Sequence, residues 1–310
     1  MNSSISLQFL RRTATAITIM VAVAPALAAP PDVAVTIKPV HSLVAAVMHG
    51  AGEPYLLLPG SVSPHDYALR PSDLRHIRNA DLLIWVGPEL ETFLRKLAAD
   101  TPVAKILTLQ TLPGLRQSEP RRAGLFAAPQ GSEGGDNHHG DPHIWLDIDN
   151  AKMIVQAVAD RLGSFDPTEA SRYRHNAEQV SARLDSLDAE LVTRLQPVRH
   201  TPYVVLHDAY QLFENRYGLS AVGAIAVSPQ QRAGAKRLNQ IRNALQSGTA
   251  ACVFSEPQIP AKIVATLSAD TAVRTGVLDP LGTQVAAGPN AYFALMKNLA
   301  GAIVDCLQDN

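Results

Sequence analysis

The chain carries almost no net charge: 27 Lys and Arg stand against 28 Asp and Glu, a formal −1. Such a balance sets up no long-range field for nucleic acid or an anionic membrane, so both are excluded as partners. Basic stretches interleaved with aromatics are absent, as are G-x-x-x-x-G-K-[ST] and G-x-S-x-G, so neither a phosphate-cradling loop nor a nucleophile elbow is written here. Cysteine is nearly absent too, with only Cys252 and Cys306 in 310 residues. Beyond the N-terminus no apolar run is long enough to span a bilayer.

What is present begins with a targeting signal. Arg11 and Arg12 precede the apolar stretch TATAITIMVAVAPALA, which closes on Ala26-Leu27-Ala28, the small-x-small pattern of a signal peptidase site. Residues 1–28 read as a signal peptide cleaved near Ala28. The competing reading, a retained anchor, is disfavoured because the run falls short of the ~20 apolar residues a spanning helix needs and contains Pro25. The expected product is soluble and exported. In an oxidising compartment two cysteines permit one disulfide, and two buried free thiols are the alternative. Export favours the bridge, which would close 54 positions and stabilise by roughly 4 kcal/mol in the chain-entropy picture.

Length sets a prior of about two domains, and 46% hydrophobic content suffices for packed cores. Short apolar runs alternate with helix-like segments: residues 33–37, 55–58, 81–87 and 105–109 in the first half, then 203–207, 219–227, 251–256 and 274–279. That alternation predicts an α/β fold of two lobes, each a mostly parallel sheet with flanking helices. Between them Tyr173, Ala177, Val180, Leu184, Leu187, Leu191 and Leu195 recur at steps of three and four. Asp166-Pro167 reads as cap and first-turn proline, and Pro197 as the stop. The expected organisation is an N-terminal lobe over 29–165, a long linking backbone helix over 166–197, and a C-terminal lobe over 198–310. Leu112 to Pro142, with GSEGGDNHHGD, lacks periodicity and reads as a mobile surface loop.

In open α/β sheets ligands bind in the crevice at the carboxyl ends of strands. His65 follows one such exit, His207 ends YVVLH, Asp279 ends RTGVLD, and His143 leaves the glycine-rich loop just before a helix. A single histidine at a strand end is more often structural than a ligand. Three together point to a metal, and three imidazoles with an open or oxygen-filled fourth position suit Zn2+. Asp66 and Asp208 each directly follow a candidate ligand and could accept its second ring N–H, or could instead cap helices. His138 and His139 could collect metal as an accessory pair or simply be solvated. His41 follows the first strand, near enough for the cleft, but reads more safely as a helix-start residue, and His49, His76, His175 and His200 show no partner pattern and read as surface or core residues. Trp85 and Trp145 are expected to pack beneath the site.

SPHDYALRPSDL, NADLLIWVGPELE, HIWLD, VVLHDAYQLFENRYGL, ACVFSEPQ and VLDPLGT, in this order over essentially the whole mature chain, resemble the cluster A-I solute-binding proteins of metal ABC importers, the periplasmic zinc-binding members in particular. The resemblance implies His65, His143 and His207 as metal ligands, a Cys252–Cys306 bridge, and a membrane permease as partner. Manganese-binding relatives carry glutamate at the third position, so His207 points to zinc. Some relatives place Glu directly before the first ligand, where this chain has Pro64; Asp279, a ligand in several members, or water is then expected at the fourth position.

The expected function is high-affinity capture of Zn2+ in the periplasm, by a monomer, for an ABC importer, without catalysis. Neutral imidazoles would hold metal at neutral pH and lose it as they protonate near pH ~6. Alternatives are a manganese-binding protein of the same fold and, in another class, a zinc hydrolase with a three-histidine site. Ligands drawn from distant segments and the lack of an HExxH helix favour capture over turnover.

Overall fold

The apolar runs of the first half become four strands in a computed structural model that describes residues 29–119, 121, 124–126, 140–226, 233–260 and 262–308. The expected signal peptide, residues 1–28, lies outside them. The order is β1 (Val33–Val35), α1 (Lys38–Val47), β2 (Tyr55–Leu56), α2 (Pro71–Asn79), β3 (Leu82–Trp85), α3 (Arg95–Ala99) and β4 (Ile106–Thr108). All pairings are parallel, in the order β2-β1-β3-β4. Helices α4 (Ile148–Phe165) and α5 (Ala170–Leu195) follow. The second lobe runs β5 (Tyr203–His207), α6 (Gln211–Tyr217), β6 (Ala221–Ala226), α7 (Ala235–Gln246), β7 (Cys252–Ser255), α8 (Lys262–Ser268), β8 (Arg274–Val277) and α9 (Ala291–Leu307). Its sheet is again parallel, ordered β6-β5-β7-β8.

Each strand falls inside an apolar run read from the sequence. Strands β1, β3, β5 and β7 are buried along their whole length, because helices cover both faces of a parallel sheet. Edge strand β8 alternates between partly buried and exposed residues.

Helix α5 spans 26 residues, about 39 Å at 1.5 Å per residue. Its buried face contains Tyr173, Ala177, Val180, Leu184, Leu187, Leu191 and Leu195, the periodic set read from the sequence. The start differs from expectation. Asp166 closes α4 rather than opening α5, its N–H reaching the Leu162 carbonyl at 2.8 Å. Pro167 forbids helical backbone at the preceding residue, and Asp166 accordingly sits at φ −128°, ψ 82°. One turn intervenes before Ala170, and the Asp166 carboxylate accepts the Glu169 N–H at 3.3 Å.

A single apolar cluster runs through α4 and α5 and includes residues of both sheets, from Val33 and Ile84 to Tyr203 and Phe254. Helix α9 crosses back onto the first lobe: the Tyr292 N–H donates to Ser42 Oγ at 2.9 Å, and its hydroxyl to the Trp145 carbonyl at 2.7 Å. The expected Cys252–Cys306 disulfide is present and ties β7 to α9.

The loop expected over 112–142 is anchored wherever it is described. Arg121 pairs with Asp208 and, at 2.6 Å, with Glu214, and its guanidinium lies over the Phe126 ring. Leu125 bridges to Gly223 at the edge of the second sheet. Most of residues 112–119 are exposed, as expected of a surface loop, and residues 127–139 lie outside the described residues. His138 and His139 lie outside the described residues.

Candidate metal centre

Three side chains meet between the lobes. His207 is the last residue of β5, His143 heads a helical turn over Ile144–Leu146 that leads into α4, and His65 lies in the coil between β2 and α2. One ring nitrogen from each lies within 4.8 Å of the other two. The Nε2 atoms of His65 and His143 are 3.4 Å apart, and those of His143 and His207 are 3.3 Å apart. Two nitrogens at about 2.05 Å from a tetrahedral zinc would lie about 3.3 Å from one another, so the His65–His143 and His143–His207 pairs are already spaced for one ion.

Carboxylates fix which nitrogen faces inward. His143 Nδ1 meets Asp141 Oδ1 at 2.7 Å, and His207 Nδ1 meets Glu256 Oε1 at 2.6 Å. Each Nδ1–H donates outward, so both Nε2 lone pairs are directed into the cluster. Facing lone pairs at this distance repel unless a cation lies between them. Asp141 also accepts the His143 backbone N–H at 3.0 Å, which fixes the ring relative to its own main chain.

These partners are not the ones expected. Asp208 turns away to Arg121, and α6 begins beyond Tyr210, so it neither orients His207 nor caps a helix. Asp66 is exposed on the coil. A residue next in sequence to a strand-end histidine points away from it, whereas the neighbouring strand places a group alongside. Parallel register pairs Tyr203 with Cys252 and Val204 with Val253, which, carried forward, sets Glu256 level with His207. The signal was present: Glu256 ends the run ACVFSE just as His207 ends YVVLH.

Asp279, the expected fourth ligand, does not join the group. Its Oδ1 accepts from Gln258 Nε2 at 2.9 Å and from the Leu281 N–H at 3.2 Å, while Oδ2 takes the Thr283 N–H. Strand β8 stops at Val277, so Asp279 belongs to the turn beyond it. Trp145, wholly buried, has its ring centroid 5.3 Å from that of His143 and donates Nε1–H to the Pro280 carbonyl at 2.9 Å. Trp85 lies instead in a separate cluster with Leu83 and Ile106, on the opposite face of the first sheet, because strand neighbours alternate faces.

Burial shapes the electrostatics. His65 is held well below the ordinary imidazole range by desolvation and by the facing His143 and His207. Desolvation, with His207 adding to it, pushes His143 down to about 3. For His207 burial acts in the same sense, but Glu256 outweighs it, with help from Asp141 and Asp208, and its pKa ends above the ordinary value. Burial drives Asp141 up to about 7. The three rings therefore do not share one titration near pH 6: two stay neutral far into acid, and His207 protonates first.

The rings border a cavity of about 20 Å³, which Ser63, Gln258 and Leu281 also line. That space suits an ion or a water. Two parallel-sheet lobes closing on a buried imidazole cluster of this size define a solute-binding protein that takes a bare metal ion.

Comparison with known proteins agrees. Residues 33–306 match the family described as ZnuA, "Zinc-uptake complex component A periplasmic". The chain is 42% identical over 305 residues to "High-affinity zinc uptake system protein ZnuA" of Brucella abortus, covering 89% of this chain and 91% of that protein. It is 37% identical over 289 residues to the protein of the same name from Yersinia pestis, again covering 89% and 91%. A crystal structure of ZnuA superposes with a TM-score of 0.74 at 24% identity, over 90% of this chain and 99% of that one. The periplasmic zinc binding protein TroA of Treponema pallidum superposes with a TM-score of 0.77 at 22% identity, with the same coverage. At such identities the structural likeness shows the fold. The chain belongs to the ZnuA family, the periplasmic zinc-binding components of ABC importers, which bind a substrate and catalyse nothing.

Proposed function

We propose that this protein captures Zn2+ on the Nε2 atoms of His65, His143 and His207 and passes it, as a monomer freed of its signal peptide near Ala28, to the membrane permease of an ABC importer. The observation that carries the reading is that His143 Nε2 lies 3.4 Å from that of His65 and 3.3 Å from that of His207, with all three rings offering a nitrogen within 4.8 Å of one another, a spacing that suits one ion. Three imidazoles and no carboxylate in the group favour zinc over manganese, because nitrogen donors select later metals. Asp141 behind His143 and Glu256 behind His207 flank the site with carboxyl groups that orient the rings without binding the ion directly. No helix among the described residues is long and apolar enough to cross a membrane, in keeping with a protein that meets its permease from outside the bilayer.

Competition with a chromophoric zinc chelator tests the reading. The wild-type protein should strip zinc from the chelator, and His143→Ala and His207→Ala should not. Wild-type affinity in either variant removes that residue from the site.

A further inference from the structure

Of the three rings, His65 alone is carried by neither a strand nor a helical turn. The coil before it is shaped by local bonds only a few residues long, Val62 N–H to the Pro59 carbonyl at 3.1 Å and His65 N–H to Ser63 Oγ at 3.3 Å. A group of bonds from the other lobe also reaches this coil, at Gly60. The Gly60 carbonyl accepts Gln258 Nε2–H at 3.1 Å and the Thr283 hydroxyl at 2.8 Å, across 198 and 223 residues of chain.

Both donors are held by Asp279. Its Oδ1 takes the second Nε2–H of Gln258 at 2.9 Å, and its Oδ2 takes the Thr283 N–H. A carbonyl and a carboxylate can only accept, so the amide of Gln258 has one orientation here, nitrogen toward the seam. From the first lobe Lys38 closes the same turn, donating Nζ–H to the Gly282 and Val285 carbonyls at 2.7 and 2.8 Å. The seam leaves no room at position 60: a Cβ there would lie 2.9 Å from Lys38 Nζ and 3.2 Å from the Leu281 carbonyl oxygen. Gln258 also lines the cavity with the three rings.

We infer that Gln258 is the positioning residue for His65: anchored on Asp279 in one lobe, its amide holds the Gly60 carbonyl of the other and so sets where the His65 ring meets those of His143 and His207. The role rests on the three-histidine reading. Asp279 thereby acts at the seam between the lobes as the anchor of a latch.

Two measurements test it. In metal-free protein, amide hydrogen exchange over residues 59–66 should lose protection in Gln258→Ala while β5 and β7 keep theirs. Thr283→Val, which removes the hydroxyl bond to Gly60 together with the hydroxyl's contacts to Gln258 Nε2 and Asp279 Oδ1 but leaves the Gln258 bond to Gly60, should act in the same direction and less strongly. Zinc affinity should fall about 10- to 100-fold in Gln258→Ala, the range for partners that orient a ligand. In a His65→Ala background the same substitution should cost less than about twofold, since the ring it positions is gone. Unchanged exchange over 59–66, or an equal loss of affinity with and without His65, overturns the latch. Wild-type affinity in His65→Ala alone overturns the ligand reading beneath it, and needs no Gln258 variant to be seen.

Discussion

His207 Nδ1 and Glu256 Oε1 stand 2.6 Å apart at the ends of two adjacent parallel strands, each side chain at most 5% exposed. The carboxylate holds a neutral ring in the metal-binding tautomer and stabilises the charged ring when no metal is present. Glu256→Gln keeps an accepting oxygen and removes the charge. Zinc affinity should fall about 10- to 100-fold. In metal-free protein the His207 pKa, now governed by burial, should drop from above the ordinary imidazole range to below it, as followed by NMR titration of the ring.

Removing a ring costs more than removing its partner. His143→Ala and His207→Ala should each exceed the ~10- to 100-fold loss expected for an outer carboxylate. In the wild-type protein manganese should compete poorly with zinc, which parallel titrations of the two ions would measure.

Acid should weaken the joint between lobes before it unfolds the sheets. Arg216 of α6 donates to both oxygens of Asp188 at 2.7 Å and to Asp149 at 2.9 Å. The Arg216 hydrogen bonds pull Asp149 down to about 2 and hold Asp188 below the usual carboxylate range. Both folded-state values lie under the unfolded ones, so this stabilisation is complete above about pH 4 and is lost as pH falls toward 2. Urea midpoints of metal-free protein should decline through that window. Arg216→Met should lower the neutral-pH stability by about 2 kcal/mol and flatten the decline.

Replacing Cys252 and Cys306 together with alanine frees a 54-residue loop in the unfolded chain. Thermal and urea denaturation should show a loss of about 2–5 kcal/mol.

Leu184, fully buried midway along α5, reaches the shared apolar cluster. Leu184→Ala should cost about 2–5 kcal/mol by the same measurements, with zinc affinity unaffected at temperatures where the variant stays folded.

The fold was legible because its two periods are written plainly: eight apolar runs each contain a strand, and the stripe from Tyr173 to Leu195 is the buried face of α5. The meeting of the three rings was legible in part: His207 ends a strand, where such folds bind, whereas His65 and His143 come from connecting segments. Their partners were not. Asp66 and Asp208 are neighbours of the ligands in sequence, whereas Glu256 becomes a neighbour only through strand register, and Asp141 only through a turn that brings its carboxylate back to a ring two residues on. Asp279 stands apart from the rings for a similar cause: its position past β8 suggests a groove-facing carboxylate, but the backbone N–H groups of Leu281 and Thr283 curl around it.

Helix α9, the last seventeen-residue element, lies against α1 and α5, and Tyr292 reaches both Ser42 and Trp145. The half of the molecule that leaves the ribosome first therefore cannot complete its own interior until α9 has been synthesised. Growth along the chain does not yield one finished half and then a second; both mature together, once α9 arrives.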